Sequence, residues 1–144
     1  MKTIMLFFVV CMANSICSSK YQNQDLEFMV IYKAQTRGSN LEYTIDDTSI
    51  KALSNGYDGK NGKAALLADD KKEIQAFIDT LALENINSLI PPSQNSAVDR
   101  ALIAQIQITK NGERYESVDF DHGNPPVALK PLIDKILALI ETVE

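Results

Sequence analysis

The chain has 144 residues, a formal net charge of −5, two cysteines and no tryptophan, and His122 is its single histidine. An acidic surface repels the phosphates of nucleic acids and of anionic lipid headgroups, so neither is an expected ligand. We therefore expect no nucleic-acid partner, and membrane contact only through a lipid anchor.

The first sixteen residues have the composition of an export signal. Lys2 precedes an apolar run at residues 4–12, and small and polar residues follow it. The run matches the core of a signal peptide and is shorter than the about 20 apolar residues that a membrane-spanning helix needs. We expect residues 1–16 to be a signal peptide, and the protein to work outside the cytoplasm.

Two processing routes fit the residues that follow the apolar run. Cleavage after Ser15 would use the small residues Ala13 and Ser15 and would leave Cys17 as an exposed thiol in a secreted protein. Residues 14–19 instead resemble the signal of Bacteroidota-type bacterial lipoproteins, with Ile16 in place of the usual small residue. This resemblance implies cleavage before Cys17, lipidation of that cysteine, and anchoring in the cell envelope, at the outer membrane or in the periplasm.

The remaining chain divides into a tether and one domain. Residues 17–25 are polar and show no periodicity, which predicts a tether. Residues 26–144 have the usual size of a single domain. Either processing route removes Cys11, so the domain has no disulfide and depends on an apolar core.

The first half of the domain predicts three strands and a helix. Residues 26–35 are apolar on both faces and predict a buried strand, and residues 41–46 alternate as its hairpin partner would. Residues 55–62 are glycine-rich but match no phosphate-binding pattern, which predicts a surface loop before a short strand at residues 64–68.

Asp70 is then expected to cap a helix over residues 71–83, with Glu73 at the third helical position. The apolar positions of this segment recur at helical spacing: Ile74, Phe77, Ile78 and Leu81. Pro91 and Pro92 exclude a longer helix and predict a connecting loop.

The second half predicts a hairpin and a helix. Residues 102–109 alternate, and Asn111-Gly112 favours a type I′ turn that pairs Ile108 with Tyr115. The apolar side of the return strand changes before Phe120, which predicts a bulge or a second covered face. The apolar stripe over residues 129–143 predicts a helix that begins near Lys130.

These elements together predict an α+β fold. We expect a mainly antiparallel sheet of four to five strands with two helices on one face, in the order β-β-(β)-α-β-β-α.

The candidate chemistry lies in the loop at residues 120–126. Asp121 could orient His122 as a general base, or Asp121 and Asn124 could cap backbone amides of the turn. The spacing matches no metal signature, so we expect no metal and no cofactor. We take Asp121, His122 and Tyr57, which lies in the glycine-rich loop, as candidate contacts to a ligand or partner.

The domain itself resembles no family of known activity. The main interpretation is a non-enzymatic envelope lipoprotein whose small domain binds an envelope protein or a small ligand. One alternative is a secreted inhibitor that places residues 91–98 in the cleft of an enzyme. Another is a small hydrolase or metal-dependent enzyme that acts through His122.

Overall fold

The computed structural model describes residues 27–56, 60–98 and 101–144, without the side chains of residues 97 and 98. The predicted signal peptide, the lipidation site Cys17, the tether at residues 17–25, and Tyr57 lie outside this part of the chain. Within it, seven strands in one antiparallel sheet and two α-helices form an α+β domain. The fold class is confirmed, but the predicted count of four to five strands is too low.

The sheet has the order β4-β3-β2-β1-β5-β6, and β7 pairs with β5 beyond the end of β6. The strands and α-helices are, in chain order, β1 (Phe28–Thr36), β2 (Ser39–Asp46), β3 (Ser49–Ser54), β4 (Gly62–Ala65), α1 (Ala68–Thr80), β5 (Ile103–Lys110), β6 (Glu113–Glu116), β7 (Phe120–Asp121) and α2 (Lys130–Ile140). Short 3-10 helices lie at Leu83–Ser88, Asn95–Val98 and Val127–Leu129. No helix in the described residues is long and apolar enough to cross a membrane.

The predicted first hairpin is present, with Tyr32 of β1 opposite Tyr43 of β2. Strand β3 was not predicted, because its apolar residues lie on both faces: Leu53 is 43% exposed on the open face of the sheet, while Ile50 and Ala52 are buried on the other. The strand predicted at residues 64–68 begins earlier, at Gly62, and forms the edge of the sheet as β4.

Helix α1 begins three residues before its predicted start, so the assignment of Asp70 as its cap is wrong. Leu67 occupies the cap position without a side-chain hydrogen bond, and its carbonyl accepts the first helical bond from the amide of Lys71. Asp69 and Asp70 lie in the first turn, where negative charge is favourable beside unpaired backbone amides. The helix ends at Thr80, and the chain continues as a 3-10 helix.

The return strand of the second hairpin contains a bulge, one of the two alternatives predicted for it. Ile108 pairs with Tyr115 as expected, whereas Ala104 pairs with Phe120. Four positions on β5 correspond to five on the return strand, so one extra residue lies between β6 and β7. The extra residue moves Phe120 from the open face of the sheet to its buried face.

The core lies between this buried face and the helices. Alternate side chains of the strands are buried there together with Ile74 and Ile78 of α1 and one face of α2. The opposite face of the sheet carries partly exposed and charged side chains, such as Lys33 and Glu42, which form an ion pair. His122 follows β7, which pairs with β5, and its ring contacts the side chain of Tyr32 on β1.

Candidate functional site

His122 follows β7 directly and is held by a tight turn. Its backbone amide donates to the carbonyl of Leu102 at 2.9 Å, and the amide of Asn124 donates to the carbonyl of Asp121 at 2.8 Å. Gly123 adopts a positive φ of 77°, a conformation that glycine takes without strain. The turn therefore fixes the imidazole against the end of the sheet.

The imidazole of His122 is hydrogen-bonded to a buried tyrosine. The Oη atom of Tyr32 lies 2.8 Å from Nδ1 of His122, and the two rings lie 5.7 Å apart between their centroids. Burial raises the pKa of Tyr32 well above its usual range, so the hydroxyl keeps its proton. Burial also lowers the pKa of His122, which favours a neutral ring. We assign the ring proton to Nε2, so that the hydroxyl of Tyr32 donates to Nδ1.

Asp121 does not orient His122; its carboxylate anchors the segment that follows the two prolines. The amides of Asn95 and Ser96 donate to its two oxygens at 2.7 and 2.8 Å, and the hydroxyl of Ser93 donates to Oδ2. The hydrogen bond from Ser93 is the largest of the effects that hold the pKa of Asp121 below its usual range. The side chain is buried, so this carboxylate is an anionic cap for backbone amides.

Asn124 completes the connection between the two loops. Its Nδ2 atom donates to Oγ of Ser93 at 2.7 Å. We call residues 89–98 the double-proline loop and residues 120–126 the histidine loop. The two are joined by four side-chain hydrogen bonds, three to Asp121 and one from Asn124. Asp121 does cap backbone amides, as the sequence suggested, but these are the amides of Asn95 and Ser96 in the other loop. Asn124 bonds the hydroxyl of Ser93 instead.

The start of the double-proline loop exposes a large apolar side chain. Ile90, directly before Pro91 and Pro92, is 86% exposed, while its neighbour Leu89 packs against the core. Ile90 is thus a large apolar side chain exposed on a loop whose backbone angles are restricted by the two prolines.

A groove of about 430 Å³ runs beside this loop, and its walls are largely apolar. One wall comes from the end of α1 and the following 3-10 helix, and the other from the entry to α2. Val127 at its rim is 83% exposed. The lining residues are Thr80, Leu81, Ala82, Asn85, Ile86, Leu89, Val127, Ala128 and Pro131.

The described residues offer no metal centre. Across residues 27–56, 60–98 and 101–144, no group of three His, Cys, Asp or Glu side chains is placed to hold an ion. Both carboxylate oxygens of Asp46 accept hydrogen bonds from Thr48 or Ser49. These contacts are those of a turn that caps its own backbone.

Asp121 and His122 are neighbours in the chain, but their side chains do not form a common site. His122 bonds Tyr32, whereas Asp121 bonds the double-proline loop. Sequence reasoning missed Tyr32, Ser93 and Ile90. The single signal for Ile90 was the double proline that follows it. Tyr57 remains a candidate contact on sequence grounds alone.

The chain was compared with protein-family models, with curated proteins and with solved structures, and none of them matches it.

Proposed function

We propose that this protein is a non-enzymatic, lipid-anchored protein of the bacterial envelope whose domain binds another envelope protein. The anchor is Cys17, and the contact surface consists of the double-proline loop and the apolar groove beside it. The signal-like residues 1–16 and Cys17 support the location, and the geometry of the two loops supports the contact surface.

The exposure of Ile90 carries the proposal. Burial of an isoleucine or valine side chain contributes about 1.5–3 kcal/mol, so leaving Ile90 and Val127 in water forgoes that stabilisation unless a partner covers them. A partner with an apolar pocket for Ile90 and an apolar side chain for the groove would recover it. A side chain that fills a desolvated pocket at the centre of an interface contributes most to binding.

The rigidity of the double-proline loop supports the same conclusion. Pro91 and Pro92 fix two φ angles, and Asp121 holds the amides of Asn95 and Ser96. A loop that is ordered before binding loses less conformational entropy when a partner arrives. The sequence therefore presents Ile90 on a frame suited to tight contact.

The surroundings of His122 favour binding over acid-base catalysis. A general base must accept a proton from the substrate, and in the neutral ring the accepting nitrogen is Nδ1. That atom is already bonded to the hydroxyl of Tyr32. Asp121, the other candidate, uses its oxygens for Ser93, Asn95 and Ser96.

Photo-crosslinking in the native cell identifies the partner. The photoreactive residue p-benzoylphenylalanine is placed at position 90 or 127, and as a control at Lys51, an exposed position on the open face of the sheet. We expect positions 90 and 127 to give the same protein adduct and Lys51 to give none. The same adduct at all three positions, or a crosslink to lipid alone, would refute the proposed surface.

Inhibition of an enzyme is a second candidate function, and the anchored double-proline loop favours it. An inhibitor loop must stay rigid in the cleft of its target, and the bonds to Asp121 supply that rigidity. Incubation with endopeptidases that accept branched aliphatic residues tests it. Inhibition that is lost in Ile90→Asp supports this function, and rapid cleavage of the loop contradicts it.

A further inference from the structure

We propose that His122 is a pH-sensitive latch which, when protonated, releases the double-proline loop from its anchored position. The use of such a latch in the envelope, where acid would weaken partner binding, rests on the proposed function. The latch itself is a property of the free protein.

The hydrogen bond between Tyr32 and His122 gives the latch its chemistry. In the neutral tautomer assigned above, the hydroxyl donates and Nδ1 accepts. Protonation places a second hydrogen between the same two atoms, so two donors face each other at 2.8 Å. Either the hydroxyl turns away and its hydrogen is left without a partner in a buried site, or the imidazole moves.

The groups packed around His122 offer little to stabilise a positive ring. Tyr32 of β1 is fully buried, and Tyr43 of β2 stacks behind it at 6.0 Å between ring centroids. Phe120 packs on the other side of Tyr32. Among the described residues, no carboxylate forms an ion pair with His122, and the charge of Glu141 acts on Tyr43. The adjacent carboxylate of Asp121 is committed to the double-proline loop.

Movement of His122 reaches the double-proline loop through its immediate neighbours. Asp121 and Asn124 flank His122 in one tight turn, closed by the bond from the amide of Asn124 to the carbonyl of Asp121. Their side chains hold Ser93, Asn95 and Ser96. Because the turn is closed by this hydrogen bond, a displaced imidazole also shifts Asp121 and Asn124. The hydrogen bonds of their side chains to the double-proline loop are then weakened.

The sign of the pH effect follows from the burial of His122. Burial lowers the pKa of the folded histidine, so the unfolded chain binds more protons as the pH falls. The neutral ring of His122 contributes its full stabilisation of the folded state above about pH 6.5, the ordinary pKa of histidine. This stabilisation is lost as the pH falls from there through the pKa of the folded protein. Asp121 has a pKa below its usual range and stays ionised throughout this window, so the anchor does not titrate itself.

Nuclear magnetic resonance of the full chain, labelled with ¹⁵N and held in detergent micelles, tests the latch without any partner. We expect hydrogen exchange at the amides of Asn95 and Ser96, corrected for intrinsic rates, to accelerate by at least about tenfold between pH 7.5 and the acid end of the His122 titration. The midpoint of this change should equal that of the His122 ring.

Two variants separate the latch from a general effect of acid. In His122→Asn the acceleration at Asn95 and Ser96 should disappear. In Tyr32→Phe the ring loses its donor and titrates at a higher pH, and its titration should leave the two amides unchanged. Amides that keep their protection while the wild-type ring titrates would overturn the latch, and would leave the proposed contact surface untouched.

Discussion

Lys135 of α2 lies 2.8 Å from the carboxylate of Asp70 on α1, and its ammonium also contacts Glu73. The residue that the sequence suggested as a helix cap therefore joins the two helices. Both carboxylates act to raise the pKa of Lys135, the hydrogen bond to Asp70 most strongly. The pair is only about one-fifth exposed, which reduces screening by water.

A double-mutant cycle on this pair should show coupling. Asp70→Asn and Lys135→Met together should give an interaction energy of about 0.5–1 kcal/mol in urea unfolding, decreasing in high salt. The exposed pair of Lys72 and Asp69 serves as the control and should couple more weakly. Equal coupling in both cycles would contradict a structural role for Lys135.

The bulge after β6 should be essential to the fold. Deletion of Val118 removes the extra residue and turns Phe120 to the open face, so we expect a loss of about 3–5 kcal/mol in the free energy of unfolding. Val118→Ala keeps the number of residues and is the matched control. A deletion variant as stable as this control would show that the bulge does not place Phe120.

Gly62 should resist substitution because the end of the chain packs against it. A Cβ atom there would meet the backbone oxygen of Glu144 at 2.2 Å and the side chain of Val143 at 2.9 Å. We expect Gly62→Ala to cost about 1–2 kcal/mol in thermal unfolding. Gly38→Ala, where nothing lies within 4 Å, should be nearly neutral. Equal melting temperatures for the two variants would contradict the close contact.

Asp121→Asn should free the double-proline loop while the rest of the domain stays folded. The substitution replaces one of the two oxygens by an NH2 donor, so the amide of either Asn95 or Ser96 loses its acceptor and the anchor is weakened. We expect proteolytic cleavage within residues 89–98 to accelerate by about tenfold. Asp119→Asn, at an exposed neighbour, should be cleaved like the wild type. Protection that survives Asp121→Asn would argue against the anchor.

Lipidation is tested by the mature N-terminus. Mass spectrometry of the protein from its native cell should show a diacylglycerol-modified Cys17 as the first residue. Cys17→Ser should move the protein from the membrane fraction to the soluble fraction. An unmodified chain that begins at Ile16 would contradict anchoring and would favour a secreted protein.

Turns and hairpin registers were predicted correctly where they depend on a few neighbouring residues. Asn111 and Gly112 both adopt positive φ, as the type I′ turn requires, and the register at Ile108 and Tyr115 followed from that turn. The change of apolar side before Phe120 indicated a bulge or a second covered face, and the bulge is present. The start of α1 was wrong because an acid in the first helical turn resembles a cap in sequence.

The site could not be predicted in the same way, because its contacts join distant segments. Tyr32 and His122 are 90 residues apart, and Asp121 is 25 to 28 residues from the groups that it holds. Polar residues in a loop can bond many backbone groups, and only the tertiary structure selects among them. The exposure of Ile90 likewise depends on how the double-proline loop leaves the core.

The central claim is that Ile90 is the main contact of the binding surface. Calorimetry with the purified partner that photo-crosslinking identifies tests this claim most directly. We expect Ile90→Asp to weaken binding by at least about 30-fold, equivalent to about 2 kcal/mol. Leu53→Asp changes an exposed apolar residue on the open face of the sheet and should leave the affinity unchanged. An Ile90→Asp variant that binds like the wild type, or a Leu53→Asp variant that loses as much affinity, would contradict the claim.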